Sequence, residues 1–433
     1  MNLYCSQESR RGATRRTSAP SSYLFRRRKS AGPISSLGRL LFANGLSLIS
    51  LDDRALLNRA FQLTGLDDLG DPSSREGLAV LLKSVESDAR LNLTGRLCFR
   101  SEILRMLCNR LRLQQDRKTH PNIADQVIRR PLFITGLPRT GSTLLHALLA
   151  LDAASRAPQV WEVMYPSPPP EKRSYNYDPR IYKTARDLRW LNIIMPGFKS
   201  AHMIDARLPQ ECIAITGHSF ISHLFESMYF VDSYRSWHDS HDKRAAYEYH
   251  RQFLQYLQTR APGNHWVLKA PSHLFAMEAL LRVYPDARIV MTHRHPLEVL
   301  PSCASFTEVL RGAFTDTIDR KKLGIEISRH WEKGARLAVD LAQSNGNTRE
   351  RIFNVLYKDL VGNPMAVIRN LYNRFDMQFT NETETAMRRF LAQNPQNSNG
   401  THRYSLEEFS LDRDAERRRF AFYTTFFGIE PAS

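Results

Sequence analysis

The stretch Gly136-Leu-Pro-Arg-Thr-Gly141-Ser-Thr143 carries the residue types that hold an anion. Its two glycines let the backbone curl so that successive N–H groups point inward, and a helix starting there adds its positive end. The pattern is that of a phosphate loop at every defined position but one, because Ser142 stands where a lysine is usual. The cradle survives that change, but the lysine that reaches the outer phosphates of a nucleoside triphosphate is lost. Arg139, inside the loop, supplies a cation whose planar fork can hold two anionic oxygens at once. More than 150 residues downstream, Ile289-Val-Met-Thr-His-Arg294 ends an apolar run, and Ser302 follows eight residues after Arg294. A cation at a strand end with a hydroxyl on the next helix suits a second phosphate.

These residues need a scaffold, and the sequence supplies its pattern. Leu132–Thr135, His265–Lys269, Arg288–Thr292 and Arg351–Tyr357 read as short buried strands, each followed by a helical stretch. The alternation predicts an α/β fold, a P-loop-type parallel β-sheet flanked by helices. Residues 37–130 read as a helical extension and linker, and 131–433 as the α/β domain. Residues 165–262 interrupt the alternation as a helical insertion on the acceptor side. Gln210–Phe225 and Asp242–Gln258 are its expected helices. Phe220, Phe225, Tyr229, Phe230, Tyr234 and Trp237 are either core or the lining of an apolar pocket.

The chain has 433 residues and a formal net charge of +17, which favours polyanionic ligands. Residues 1–30 hold eight Arg or Lys against the single acid Glu8. The N-terminal 36 residues therefore read as a disordered basic segment, or as a signal for organellar import. With the densest basic run in that tail, a nucleic-acid partner is not expected. Five cysteines without a CxxC pair argue against a disulfide framework or a zinc site. They suit an intracellular, cytoplasmic setting. No apolar run is long enough for a membrane span.

Several ordered segments resemble the PAPS-dependent sulfotransferases, in a variant similar to the tyrosylprotein branch and the large bacterial-type group. The loop 136–143 looks like that family's 5′-phosphosulfate loop, and Arg294 with Ser302 like its 3′-phosphate site. Trp266-Val-Leu-Lys269-Ala-Pro271, Ile352–Leu360 with Tyr357, and Gly400-Thr-His402-Arg403-Tyr404 resemble later family segments. The resemblance implies a sulfotransferase that moves a sulfuryl group from PAPS to an acceptor hydroxyl, leaving PAP, with no metal. Arg139, Thr140, Gly141, Ser142, Thr143, Arg294, Ser302, Tyr357 and Arg403 would bind the donor, and Arg139 would also act in catalysis. The acceptor stays open among small molecules, lipids and glycans.

A base should take the acceptor's proton. The resemblance favours Glu162, in Val160-Trp-Glu162-Val; His273 or a histidine of the insertion is the alternative. Glu211, which opens a helix in Pro209-Gln-Glu-Cys212, is a capping charge or an acceptor contact. Rival readings are a kinase or NTPase with an atypical loop and an inactive anion-binding scaffold.

Overall fold

The computed structural model describes residues 49–196, 198, 203–344, 346–394 and 405–430. The N-terminal basic segment and Arg403 lie outside these residues.

Five parallel strands form one sheet in the order β2-β3-β1-β4-β5. They are β1 (Leu132–Gly136), β2 (Ser155–Arg156), β3 (His265–Lys269), β4 (Arg288–His293) and β5 (Ile352–Leu356). Successive side chains on a strand point to opposite faces, so a sheet covered on both sides needs apolar residues throughout. That is why β1 and β4 are buried end to end. Phe133, Leu268, Ile289 and Met291 enter one core. Leu132, Ile134, Val267 and Val290 enter the other. The four longer strands coincide with the expected ones to within a residue or two. Only β2, a two-residue edge strand, is too short to leave a periodic signal.

Helices α1 (Asp53–Thr64), α2 (Ser73–Ser87) and α3 (Leu93–Thr119) precede the sheet. Asp52 and Asn92 cap α1 and α3 by accepting from Ala55 N and Gly95 N, each at 2.8 Å. Helix α3 runs to Thr119, into the stretch expected as linker. After β1 come α4 (Ser142–Leu149), α5 (Val160–Met164) and α6 (Pro179–Ile194). The insertion continues with α7 (Cys212–Thr216), α8 (His223–Met228), α9 (Asp232–Ser240) and α10 (Arg244–Gln258).

The continuous helix expected over 210–225 is broken. Phe220 adopts a left-handed φ of 59°, and the Ser222 side chain accepts from Leu224 N to start α8. Phe220, Phe225, Tyr229 and Tyr234 pack with α1–α3 in a third core. They are therefore core, and Phe230 is exposed on the surface. The N-terminal helices and the insertion thus share one hydrophobic interior.

The later helices are α11 (Met277–Val283), α12 (Pro296–Gly312) and α13 (Arg320–Gln343), then α14 (Tyr357–Gly362) and α15 (Pro364–Arg374) after β5. No helix among the described residues is long and apolar enough to cross a membrane.

Candidate active site

The carboxyl ends of β1, β3, β4 and β5 lie on one edge of the sheet. Gly136 pairs with Thr292, Ile134 with Lys269, and His293 with Leu356. The first residues past those ends, or the last residues in them, are the loop 137–143, Lys269, Arg294 and Tyr357. In an open parallel sheet this edge is where ligands bind.

The loop is held in shape by its own side chains and by β4. Thr140 Oγ1 donates to Leu137 O at 2.7 Å and lies 2.6 Å from Thr292 Oγ1. The Thr140 hydroxyl is buried, so this side chain serves the loop. Two glycines are required by space and conformation. A Cβ on Gly136 (φ 120°) would stand 2.3 Å from Thr292 O, and one on Gly141 (φ 82°) 2.8 Å from a Leu360 methyl. Arg139 is also left-handed, at φ 63°. A non-glycine residue held there is strained, a feature that concentrates at functional sites. Ser142 and Thr143 open α4, and the N–H groups of a first helical turn have no carbonyl partner within the helix.

The second expected element comes to the same place. Arg139 Nε donates to Ser302 Oγ at 3.0 Å. Arg294 Nη1 donates to Arg139 O at 3.1 Å, and its guanidinium sits 4.1 Å over the Tyr357 ring. Arg294 is also paired with Glu298, one turn into α12, at 2.7 Å. Arg139, Gly141, Ser302, Arg294 and Tyr357, spread over 218 positions, therefore form one contact group. Two cations beside Cys303 pull its thiol toward ionisation, but burial wins and pushes it up to about 12.

Glu162 is positioned elsewhere. It is fully buried at the third position of α5, where it completes a capping box with Gln159. Its carboxylate accepts from Gln159 N at 2.8 Å, from Tyr175 Oη at 2.8 Å and from Arg156 Nη2 at 2.5 Å. Arg156 in turn donates to Leu257 O at 2.7 Å. Glu162 thus ties together β2, α5 and the end of α10, and is neither a solvated strand-end carboxylate nor part of the rim. His273 is buried beside Phe133, with Nδ1 2.5 Å from Tyr247 Oη; burial holds it well below its ordinary pKa.

The carboxylate that does reach the rim is Glu211. It forms an ion pair with Lys269, whose Nζ also lies 3.3 Å from Thr143 Oγ1. Lys269 is 2% exposed, and a buried cation of that kind is tolerated only when paired. The segment before Glu211 is laid down by the Glu162 region. Val160 N donates to Leu208 O, Trp161 N to Ala206 O and Gln210 N to Pro158 O, at 2.7 to 3.0 Å. The sequence signal for Lys269 was a lysine closing an otherwise apolar strand. For Glu211 there was none beyond its place at a helix start.

Next to the loop lies a cavity of about 270 Å³. Pro138, Arg139 and Glu211 form one part of its wall, and Phe198, Ile204, Leu224, Phe306, Leu310 and Trp331 much of the rest. A polar corner contains Glu226, which lies 2.8 Å from His238 Nδ1, 3.4 Å from His223 Nδ1 and 3.5 Å from Arg235 Nε. Burial opposes ionisation of Glu226, and the two rings overcome it, holding the carboxyl well below its usual range.

Fold and rim together define a class: a parallel α/β protein with a glycine-bearing strand-to-helix loop at the carboxyl edge of its sheet and an apolar cavity beside it. A family model described as the sulfotransferase family matches residues 131–381. The chain belongs to that family and is a sulfotransferase. The solved sulfotransferase STF9 of Mycobacterium avium is 31% identical, with a TM-score of 0.81, covering 89% of this chain and 98% of that one. Sulfotransferase STF1 of Mycobacterium tuberculosis is 30% identical, with a TM-score of 0.76, covering 86% and 99%. The omega-hydroxy-beta-dihydromenaquinone-9 sulfotransferases Stf3 of M. tuberculosis and M. bovis are 24% identical over 314 residues, 67% of this chain and 74% of theirs.

Proposed function

We propose that the protein transfers the sulfuryl group of PAPS to the hydroxyl of an apolar, lipid-like acceptor, with Glu211 as the general base. The observation that carries this reading is the Glu211–Lys269 pair. It touches the loop through Thr143 on one side and lines the acceptor cavity through Glu211 on the other.

In this reading the backbone N–H groups of residues 140–143 and the Ser142 and Thr143 hydroxyls hold the donor's 5′-phosphate. Arg294, Ser302 and Tyr357 hold its 3′-phosphate end, and Arg403 closes over the nucleotide from the C-terminal loop. The acceptor oxygen forms a bond to sulfur while the bond from sulfur to the bridging phosphate oxygen breaks. The acceptor's proton passes to a Glu211 oxygen, and PAP leaves with the bond's electron pair. Arg139 and Lys269 are the two cations beside the charge that grows on the sulfuryl and bridging oxygens. Lys269 supplies from β3 the charge that Ser142 does not supply from the loop. Glu162 acts one step removed, by fixing the segment that presents Glu211.

The apolar acceptor follows from the cavity wall, where hydrophobic side chains dominate and a few polar groups sit at one corner. It also fits the relatives whose name gives a hydroxylated dihydromenaquinone as acceptor.

Calorimetric titration with 3′,5′-ADP tests the donor assignment. Micromolar binding without metal, lost in Arg294→Ala, supports it. Binding of magnesium-ATP with none of the bisphosphate would sink it in favour of a kinase.

A further inference from the structure

Among the described residues of the insertion, helix α6 exposes a cluster of large apolar side chains. Tyr182, Trp190 and Ile193 are 71%, 61% and 66% exposed, and Tyr177, just before the helix, is 67% exposed. These are four of the nine exposed large apolar side chains among the described residues, gathered into 17 positions. Single exposed apolar residues need no explanation, whereas a cluster does. On α6 they form a stripe. Tyr182, Arg186, Arg189, Trp190 and Ile193 are spaced i, i+4, i+7, i+8 and i+11, which a helix places on one side. The opposite side is committed to the protein, with Ile181, Thr184 and Leu188 buried.

The polar members of the stripe are cationic. Arg186 and Arg189 are exposed, as are Lys183 beside them and Lys172 and Arg173 just upstream. The acid within the helix, Asp187, turns its carboxylate to the Tyr165 hydroxyl at 2.5 Å and to Arg186 at 3.3 Å. Aromatic and aliphatic side chains among Arg and Lys, on a helix that is otherwise docked, match the chemistry of a bilayer surface. Trp and Tyr settle at the headgroup level, and the cations meet anionic lipid.

The position fits that partner. Phe198 and Ile204, which follow α6 in the chain, line the acceptor cavity. We propose that α6 docks this protein onto an anionic membrane surface through Tyr182, Trp190 and Ile193, with Arg186 and Arg189 contacting lipid phosphates. The link from this surface to the cavity rests on the apolar-acceptor reading; the docking does not.

The test uses the full chain in sedimentation with vesicles of phosphatidylcholine alone and of phosphatidylcholine mixed with phosphatidylglycerol. The expected result is binding to the anionic vesicles that weakens with salt. Trp190→Ser with Ile193→Ser should weaken it about tenfold or more, as should Arg186→Glu with Arg189→Glu. All four positions are exposed, so 3′,5′-ADP binding by the same variants should stay unchanged and report an intact donor site. Binding that survives both variant pairs belongs to another part of the chain, such as the Arg-rich N-terminus, and overturns the proposal. So does an absence of binding, or a solution dimer that the Trp190/Ile193 pair dissolves, which would make the stripe an interface between copies. Vesicle binding without turnover of a lipid alcohol would leave the docking standing and remove the acceptor reading.

Discussion

The two walls of the candidate site, the sheet edge proposed to hold the donor and the cavity proposed to hold the acceptor, are built in different ways. The donor wall is the edge of the sheet: a backbone loop pinned by Thr292, with Arg139, Arg294 and Tyr357 within a few residues of a strand end and Ser302 on the helix that follows β4. The acceptor wall is assembled mostly from α8, α12, α13 and the segment around Glu211, with Pro138, Arg139, Pro271 and Ser272 from the ends of β1 and β3. The first is positioned by main-chain hydrogen bonding between parallel strands. The second depends on side-chain packing, with Phe198 and Leu310 in the core shared by the N-terminal helices and the insertion and Ile327 and Trp331 in the core against the sheet. A rim set by strands thus faces a wall set largely by helices, and Glu211 and Lys269 join the two.

The joint is the place to break this arrangement. Glu211→Gln keeps the shape and removes the proposed base. Turnover should fall about 10²- to 10⁴-fold and lose its dependence on deprotonation at low pH, with 3′,5′-ADP affinity unchanged. A turnover measurement across pH that finds the variant unimpaired would return the base to Glu162 or a histidine.

Arg139→Ala removes a cation from the loop where it borders the cavity and should cost about 10²- to 10³-fold in kcat. A loss confined to KM would show that Arg139 binds ground state and transition state alike.

Glu162→Gln separates scaffold from chemistry. Removing one partner of a buried ion pair costs about 3–5 kcal/mol, so its denaturation midpoint should drop sharply. Whatever protein remains folded should keep the wild-type pH profile, and a lost acidic limb would instead mark Glu162 as the base.

Ser302→Ala is the mildest probe of the donor wall. The loss of one hydrogen bond to a charged group, about 1.5 kcal/mol, predicts roughly tenfold weaker 3′,5′-ADP binding with little change in stability.

Stability itself should depend on pH in both regions. Burial pushes His146 and His250 down to about 3, and His238, His293 and His330 to about 4. The unfolded chain binds protons at these rings near pH 6.5, before the folded one does. The stabilisation from burying them neutral is therefore complete above about pH 6.5 and is lost as pH falls toward 4. Thermal unfolding followed over that window should show a steady fall; a flat profile would mean that these rings are open to water.

The donor wall was largely legible in the residues because its parts are local. A strand, a glycine turn and a helix start are written within twelve positions, and Arg294 and Ser302 within nine. Apolar runs bounded by turn residues located four strands, since a sheet covered on both faces demands such runs. Glu162 shows where local reading stops. The family resemblance favoured it as the base, yet a capping box and Arg156 hold its carboxylate. The aromatics of the insertion behaved likewise: composition allowed pocket or core, and Phe220, Phe225, Tyr229 and Tyr234 turned out to be core.

By itself the sequence determined the alternation that makes a parallel sheet, and it determined which strand-to-helix loop carries the glycines that a left-handed, closely packed turn requires. Tertiary structure decided which carboxylate meets Lys269, which side chains face the cavity and which face of α6 remains outside. Those outcomes depend on contacts between segments 50 to 200 residues apart, and burial assigns each side chain's role only after the chain has closed on itself.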